Sequence, residues 1–261
     1  MQTRPLVSVP VRAVGLARRV QAGVARHVGP DRSLALLLVA AMVLVLAATA
    51  ATAALYDAVT EREGVAGLDG PVLRAVVPLR TEAVDTWVTR FTDLGGTAVM
   101  PWLTLAAAVG VAAWLRSWRP VLVLAVAGAG SLAMTAVGKT VVDRVRPPLA
   151  LAVPPYETSP SFPSGHSLNS WVVAGCLAYL VAPHVRRGWR RVVVAAVALG
   201  FAVAMGLSRV FLGLHWLTDV LVAWTLGTAW LLVVVVADQL ASWRGRDRIE
   251  PSNETGASAT A

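Results

Sequence analysis

Long apolar runs without charge alternate along the chain with short segments that carry almost all of its charged residues. Asp, Glu, Lys and Arg are absent from six runs: 33–56, 94–115, 120–138, 167–185, 192–208 and 220–237. Their lengths of 17 to 24 residues bracket the roughly 20 that a helix needs to cross a hydrocarbon core about 30 Å thick. A soluble domain could bury one such helix, but only lipid can surround six in so short a chain. The pattern therefore predicts six transmembrane helices.

The composition narrows the class of protein further. Of the 261 residues, 56% are hydrophobic and 15% are charged, whereas soluble domains carry about 25% charged residues. The single cysteine, Cys176, excludes a disulfide scaffold, and the apolar content excludes a disordered chain. We therefore expect an all-α, polytopic membrane protein built as a six-transmembrane-helix bundle.

The start of the chain is rich in arginine. Residues 1–32 hold six arginines and one acid, and the apolar run that follows is too long for the core of a signal peptide. We therefore expect an uncleaved anchor, although a transit peptide has a similar composition. A cationic segment of this kind can also lie on anionic lipid, but an orientation signal is the simpler interpretation.

The positions of the other arginines predict the orientation of the bundle. They cluster after the second, fourth and sixth runs, at Arg116, Arg119, Arg186, Arg187, Arg190, Arg191, Arg244, Arg246 and Arg248. Cytoplasmic loops are enriched in arginine and lysine, so we expect these segments and both termini in the cytoplasm of a plasma-membrane protein. The predicted organisation is a basic cytoplasmic segment at 1–32, a membrane domain at 33–237 and a polar, disordered cytoplasmic tail at 238–261.

The first loop on the opposite side spans residues 57–93 and carries seven acids and four arginines. Within it, Val84, Trp87, Val88 and Phe91 recur at helical spacing, which predicts an amphipathic helix. This helix can lie at the outer membrane interface or pack onto the bundle, and the sequence does not distinguish the two.

A set of polar residues remains on this outer side, at the ends of apolar runs. The set comprises Lys139, Arg146, Ser164, Gly165, His166, Arg209, His215 and Asp219. Ionisable groups at the ends of membrane helices are costly unless they are paired or hydrated, so we take the set as a candidate functional site. The core of the predicted membrane domain, 139–219, contains all of it.

Each part of the set suits phosphoryl transfer. His215 and Asp219 are four residues apart, so a carboxylate can fix the imidazole tautomer and leave Nε2 as a nucleophile or base. Ser164 is a candidate N-cap of a helix whose free N–H groups favour an anion, and His166 can donate a proton to a leaving oxygen.

The cations of the set favour an anionic ligand. Lys139, Arg146 and Arg209 exceed the one nearby carboxylate, and arginine matches phosphate oxygens in bidentate fashion. We expect Asp143 and Arg144 to pair with each other outside the site. The sequence has no cluster of His, Cys or acidic residues at metal-ligand spacing, so we expect neither a metal nor another cofactor.

Three motifs of the sequence match a known signature. Lys139-x6-Arg146-Pro147, Pro163-Ser164-Gly165-His166 and Ser208-Arg209-x5-His215-x3-Asp219 together resemble the signature of the type 2 phosphatidic acid phosphatase family. That family also includes lipid phosphate phosphatases and, more distantly, vanadium haloperoxidases. The resemblance covers about 93–237 and shows no departure at a catalytic position.

The resemblance implies a role for each residue. His215 would attack phosphorus to form a phosphohistidine, oriented by Asp219, while His166 would protonate the leaving group and later activate water. Lys139, Arg146 and Arg209, with Ser164 and the Gly165 N–H, would hold the phosphoryl oxygens. The family works without a metal and faces the outer side of the membrane.

The resulting hypothesis is a membrane lipid-phosphate phosphatase whose substrate comes from the outer leaflet. Phosphatidic acid, phosphatidylglycerol phosphate and polyprenyl diphosphates are candidate substrates, and membrane lipids rather than nucleic acid are the expected partners. Three alternatives stay open: a phosphotransferase on the same scaffold, a haloperoxidase and a non-catalytic lipid-phosphate transporter or binder. The sequence predicts no oligomeric state.

One feature of the composition bears on the site. Of 23 basic residues, 22 are arginine and Lys139 is the only lysine. Codon bias explains the lack of lysine but not its position at the start of the first motif. We therefore expect that position to require the compact charge of an ammonium group.

Overall fold

A computed structural model describes residues 30–247 of the chain, and every regular element in that range is helical. The α-helices are α1 (Pro30–Glu61), α2 (Asp69–Val76), α3 (Glu82–Asp93), α4 (Met100–Leu115), α5 (Arg119–Val142), α6 (Gly165–Val181), α7 (Gly188–Phe211) and α8 (Leu217–Asp247). Four short 3₁₀ turns lie at Gly64–Leu68, Val77–Leu79, Leu149–Leu151 and Ala182–His184. No strand occurs among residues 30–247, which confirms the prediction of an all-α fold.

Each of the six uncharged runs overlaps one long helix. By length and composition, four segments are able to cross a membrane: Leu38–Glu61, Arg119–Val142, Gly188–Phe211 and Leu217–Ser242. Helices α4 and α6 have 16 and 17 residues, so each is only about 24–26 Å long at 1.5 Å per residue. For these two helices a membrane span stays a prediction.

Helix α4 begins several residues after its apolar run starts. Residues 94–99 form turns instead of helix, and this segment contains Gly95 and Gly96, which disfavour helix by about 1 kcal/mol each relative to alanine. Pro101 then lies in the first turn of α4, a position where its missing N–H costs nothing.

Helix α8 continues without a break through Asp247, so residues 238–247 of the predicted tail are helical and not disordered, while the boundary of the membrane domain at 237 stays a prediction. The polar residue after the apolar run, Asp238, is held by an ion pair with Arg119 and a hydrogen bond from Tyr179, so the helix does not need to end there. The basic segment at 1–29 and the remainder of the predicted tail, 248–261, lie outside the described residues.

Helix α6 forms the centre of the bundle and packs on α4, α5, α7 and α8. Its side chains Leu168, Val172 and Cys176 are completely buried, whereas α1 packs mainly along α8. The outer faces of the surrounding helices are apolar and exposed: Leu44, Trp102 and Val197 expose between 55% and 70% of their surface. Such a continuous exposed apolar surface is typical of a face that contacts lipid.

The helix predicted within loop 57–93 corresponds to α3. It packs on α7, where the rings of Phe91 and Phe201 meet edge to face at 5.9 Å. Val84 and Trp87, on the same helical stripe as Phe91, are exposed. The contact with the bundle is therefore observed, and the position of α3 at a membrane interface stays a prediction.

The helices bring the arginine-rich connections to one end of the bundle. Arg119 at the start of α5 bonds Asp238 on α8 at 2.8 Å, and the ring of Trp114 at the end of α4 meets that of His184 after α6 at 5.5 Å. The opposite end of α5 carries Lys139, about 30 Å away along the helix. All the predicted site residues lie at that second end.

Candidate active site

The candidate site lies where the end of α5, the start of α6, the end of α7 and the start of α8 meet the connecting segment 143–164. Ser164, Arg209, His215 and Asp219 each expose 2% or less of their surface. Burying so many polar groups is unfavourable unless each has a partner, so their contacts determine what the site can do.

His215 lies between an arginine and a carboxylate. Its Nε2 is 3.2 Å from Arg146 Nη1, and because a guanidinium only donates, Nε2 must accept and the proton must be on Nδ1. Nδ1 lies 3.4 Å from Asp219 Oδ2, longer than an ordinary hydrogen bond. Burial lowers the pKa of His215, and Arg209 and Arg146 lower it further against the opposing effect of Asp219, to about 4. The imidazole is therefore neutral at pH 7, with its lone pair on Nε2.

Asp219 is fixed by several donors. Trp216 N donates to Oδ2 at 2.9 Å, the Ser161 hydroxyl donates to the same oxygen, and Arg144 Nη1 donates to Oδ1 at 2.5 Å. Its backbone carbonyl also accepts from Ser164 N at 3.3 Å. The carboxylate is thus held in one orientation toward Nδ1 of His215.

The expectation that Arg144 pairs with Asp143 is wrong. Asp143 ends α5 in the left-handed region, with φ of 44°, and it is exposed. This turn directs Arg144 back toward α8, where Nη1 reaches Asp219 and Nη2 reaches Asp69 Oδ2 at 2.7 Å. Arg144 therefore belongs to the site that the sequence argument excluded it from.

The three phosphate-binding cations predicted from the sequence, Lys139, Arg146 and Arg209, converge on the segment 157–160. Glu157 accepts from Arg146 Nη2 at 2.7 Å with one oxygen and pairs with Arg209 Nη2 through the other. Lys139 Nζ donates to Ser159 Oγ at 2.9 Å, and Arg146 Nε donates to Ser159 O at 2.7 Å. The positive charge of the site is therefore gathered around one carboxylate.

Sequence reasoning missed Glu157, although the chain offered a signal. It is the only acid between Asp143 and Asp219, and it lies between the first two motifs. Burial alone would raise the pKa of Glu157, but Arg209, His215 and Arg146 outweigh that effect and lower it to about 2. The carboxylate is therefore ionised, and its two oxygens occupy the two arginine forks as two phosphate oxygens would.

Arg209 is the most deeply buried of these cations. Its Nη1 donates to Thr92 Oγ1 at 3.1 Å, which ties the end of α7 to α3. Its Nε is buried and has no hydrogen-bond partner among the described residues. A buried guanidinium donor without a partner is unfavourable, so this side chain retains capacity for one more acceptor.

The start of α6 confirms Ser164 as the N-cap, while the roles of Ser164 and Gly165 in holding phosphate stay predictions. Ser164 is the N-cap and its Oγ accepts from Ser167 Oγ at 2.8 Å. A Cβ on Gly165 would come within 3.0 Å of Thr135 Cγ2, so only glycine leaves this turn close to α5. His166 follows in the first turn, and its Nε2 lies 3.5 Å from where a Cβ on Gly96 would be, which places it against the turn at 94–99.

Within residues 30–247, no group of three or more His, Cys, Asp or Glu side chains lies close enough together to hold a metal ion. The positive charge that the site offers to an anion comes from its lysine and arginine side chains.

Comparisons with known proteins give three matches. The family model described as PAP2 superfamily matches residues 117–243. Phosphatidylglycerophosphatase B of Bacillus subtilis (strain 168) is 33% identical over 172 residues, which cover 66% of this chain and 83% of that protein. The crystal structure of a transmembrane PAP2-type phosphatidylglycerolphosphate phosphatase from Bacillus subtilis has a TM-score of 0.65 at 29% identity, over 77% of this chain and 96% of that one.

The crystal structure of LpxE from Aquifex aeolicus is similar in fold. Its TM-score is 0.51 at 20% identity, over 64% of this chain and 94% of that one. The family match, the Bacillus relative and the apolar helices identify a multi-pass membrane protein. On its sequence and its fold, the chain belongs to the PAP2 superfamily.

Proposed function

We propose that this membrane lipid phosphatase removes phosphate from an anionic lipid by way of a phosphohistidine on His215. As a PAP2 protein it is a phosphoric-ester hydrolase, and the observation that carries the mechanism is the position of His215. Its Nε2 lone pair lies 3.2 Å from Arg146, beside a second arginine, Arg209, that shares the same carboxylate partner.

The reaction begins when a phosphoryl group replaces Glu157 between the two arginines. Arg146 then bonds phosphate oxygens instead of His215, which frees Nε2 for attack on phosphorus. The bond from nitrogen to phosphorus forms as the bond from phosphorus to the lipid oxygen breaks. His166, which takes up a proton from solvent when the phosphate anion binds beside it, gives that proton to the lipid oxygen. Lys139, Arg146 and Arg209 stabilise the charge on the three equatorial oxygens.

Water completes the cycle. His166, now without its proton, accepts one from a water molecule, whose oxygen attacks phosphorus as the nitrogen–phosphorus bond breaks. Inorganic phosphate leaves and His215 regains its neutral form. Asp219 favours the positive charge that develops on the imidazole, because its carboxylate lies 3.4 Å from Nδ1.

We place the site on the extracytoplasmic face of the membrane, with six spans and both termini in the cytoplasm. The support is the separation of charges: the arginine-rich connections lie at one end of the bundle and the site lies at the other. The short helices α4 and α6 would bring the site level with the lipid headgroups, where an amphiphile from the outer leaflet can approach sideways. Helix α3 would then lie near the outer interface.

For the substrate, the similarity to a phosphatidylglycerophosphatase favours phosphatidylglycerol phosphate as the first lipid to test. Phosphatidic acid and polyprenyl diphosphates present the same terminal phosphate and belong in the same panel. The site contacts described above recognise that phosphate and none of the groups that distinguish these lipids.

The test is phosphate release by detergent-purified protein across this lipid panel, with His215→Ala as the key variant. Loss of the nucleophile should lower the rate about a thousandfold or more. His184→Ala is the matched control, because His184 bonds Leu180 O and meets the ring of Trp114 at the other end of the bundle. This variant should retain wild-type activity. EDTA should leave the rate unchanged.

Three outcomes would contradict the proposal. Activity that survives in His215→Ala would exclude His215 as the nucleophile. Binding of lipid phosphate without turnover by the wild type would favour a binder or transporter. A new phosphoester formed on an added acceptor alcohol in place of free phosphate would indicate a phosphotransferase.

A further inference from the structure

We propose that Arg144 and Asp69 act as a positioning pair for the catalytic carboxylate Asp219, and extend the His215–Asp219 dyad into a chain of four groups with alternating charge. The inference rests on the proposed function, since it assigns two residues to the same reaction. Arg144 stands at an unspecified position of the first motif, and Asp69 lies outside the three motifs, in the loop between the first two long helices.

The contacts of Arg144 direct it to Asp219 and away from a substrate. Nη1 donates to Asp219 Oδ1 at 2.5 Å and to Thr218 Oγ1 at 2.8 Å, while Nη2 donates to Asp69 Oδ2 at 2.7 Å. The guanidinium also lies over the ring of Trp216, 5.7 Å from its centre, which restricts its plane. Both terminal nitrogens are thus engaged, so Arg144 acts on the phosphate only through Asp219.

Asp69 fixes both Arg144 and the helix that carries the carboxylate. It is 5% exposed, and its Oδ1 accepts from Thr218 N at 2.9 Å in the first turn of α8. A carboxylate at this position satisfies a free N–H and is stabilised by the positive end of the helix dipole. The same carboxylate accepts from Thr218 Oγ1 at 2.7 Å, so α2, Arg144 and the start of α8 form one connected unit.

This arrangement determines how strongly Asp219 raises the proton affinity of His215. A buried carboxylate without a cation would draw positive charge onto the imidazole before phosphate binds, and the nucleophile would be lost. Arg144 offsets that attraction and also fixes Oδ1, so that Oδ2 faces Nδ1 of His215. Asp69 in turn offsets part of the charge of Arg144.

The pH response of His215 depends on every charged group around it. These groups come from six parts of the fold and comprise Lys139, Arg144, Arg146, Glu157, His166, Arg209, Asp219 and, behind Arg144, Asp69. Each variant changes one of these charged groups and keeps the others. A change in the pH profile of activity therefore reports the group that was removed.

The two members of the pair should shift that profile in opposite directions. Loss of the positive charge of Arg144 raises the pKa of His215 from its lowered value. The acid limb of the pH profile, where protonation of His215 removes activity, therefore moves to higher pH. Loss of the negative charge of Asp69 leaves Arg144 less neutralised and lowers the pKa of His215. A residue with only a structural role would not produce shifts of opposite sign.

The experiment measures kcat, KM and the pH dependence of kcat/KM, which reports the groups of the free enzyme, for Arg144→Gln, Arg144→Lys and Asp69→Asn. The substrate is the lipid that the wild type hydrolyses best. Arg144→Gln should lose about 10- to 100-fold in kcat, the scale on which removal of a supporting partner of a functional histidine lowers activity, with KM close to wild type. Its acid limb should move up by about one pH unit. Arg144→Lys keeps the charge and should keep the acid limb, with an intermediate kcat, while Asp69→Asn should move the limb down.

Arg119→Gln is the control, because Arg119 forms a similar ion pair with Asp238 at the other end of the bundle. It should lower the thermal midpoint and leave the acid limb in place. If Arg144→Gln does not fold, Asp69→Asn decides the question: an acid limb that moves down supports the positioning role, and an acid limb that stays in place or moves up contradicts it.

Wild-type kcat and an unmoved acid limb in folded Arg144→Gln would overturn the positioning role, as would shifts of the same sign in Arg144→Gln and Asp69→Asn. Failure of the proposed function is a different result, in which the wild type itself releases no phosphate from any lipid of the panel.

Discussion

The two ends of α5 carry arginine–carboxylate clusters that differ in their balance of charge. At the first end Arg119 faces a single carboxylate, Asp238, through Nε at 2.8 Å and through Nη2. Tyr179 completes this cluster, because it accepts from Arg119 at 3.0 Å and donates to Asp238 at 2.6 Å. At the second end, three cations that we propose to bind phosphate gather around the single carboxylate of Glu157: Lys139, Arg146 and Arg209.

The difference separates a structural cluster from a binding site. In the Arg119 cluster each charge has a counter-charge, so the cluster joins α5, α6 and α8 and requires nothing more. The cations near Glu157 outnumber their carboxylate, and buried charge without compensation is costly. An arriving phosphate supplies the missing negative charge, and an ion pair whose charges already balance has no such demand.

The largest predicted effect is the loss of activity in Arg209→Gln, and the comparison is Arg119→Gln, which removes one arginine at the other end. Arg209→Gln should lower kcat/KM by about 100- to 1000-fold, the range found when one donor to a charged transition state is removed. Arg119→Gln should keep kcat/KM near that of the wild type, because its cluster contacts no substrate. Steady-state phosphate release by both purified variants measures the difference.

The stability of the same two variants supplies the control. Arg119→Gln leaves Asp238 largely buried and without its cation, so its thermal midpoint in detergent should fall. Equal losses of kcat/KM in the two variants would contradict the distinction between the ends, because the effect would then come from general damage to the bundle.

A smaller effect is expected from Lys139→Arg, which keeps the charge and changes its shape. Lys139 Nζ fits between Ser159 Oγ, at 2.9 Å, and the carbonyl oxygen of Pro160, and a planar guanidinium cannot reproduce both contacts from the same backbone position. We expect a loss of about tenfold in kcat/KM, equivalent to about 1.4 kcal/mol, with unchanged amounts of protein in the membrane. The reverse comparison, Arg119→Lys at the balanced end, should have no effect on turnover. Normal turnover by Lys139→Arg would mean that the position of the single lysine is an accident of composition.

The smallest effect is predicted for Glu157→Gln, which removes the carboxylate from between the arginines. Inorganic phosphate should then inhibit more strongly, by about three- to fivefold, because it no longer competes with an internal anion. Since the pKa of Glu157 is lowered to about 2, the carboxylate is charged throughout pH 4–8. Its own titration should therefore not appear in the wild-type inhibition profile over that range.

Glu82→Gln, on the exposed face of α3, is the matched control and should leave inhibition by phosphate unchanged. Weaker inhibition in Glu157→Gln would show that Glu157 supports the arginines in their binding geometry and does not compete with phosphate.

Much of this arrangement could be predicted from the sequence because the signals are local. Uncharged runs indicate the long helices, and motif spacing brings His215, Asp219, Arg146 and Arg209 together. One part was not local. Helix α8 continues past its apolar run, where Asp238 pairs with a residue 119 positions earlier, and no run of apolar residues records such a pair.

The errors within the site have the same origin. Adjacent residues do not face each other, so sequence proximity was a poor reason to pair Asp143 with Arg144, and the left-handed turn at Asp143 sends the arginine elsewhere. Glu157 was identifiable as a lone acid between two motifs. Asp69 could not be identified from the sequence, because it is one of seven acids in loop 57–93 and only the tertiary fold distinguishes it from the others.

The pair between Asp69 and Arg144 has a consequence for the order in which the protein is made. Chains emerge from the ribosome from the N-terminus, so both residues are in place before Asp219 has been synthesised. Of the two carboxylates that Arg144 contacts, Asp69 is therefore made first, and it can hold the arginine beside the bundle while the last three long helices are added. Arrival of α8 then converts a two-residue ion pair into the complete site, so hydrolytic activity begins only when the final helix has been inserted.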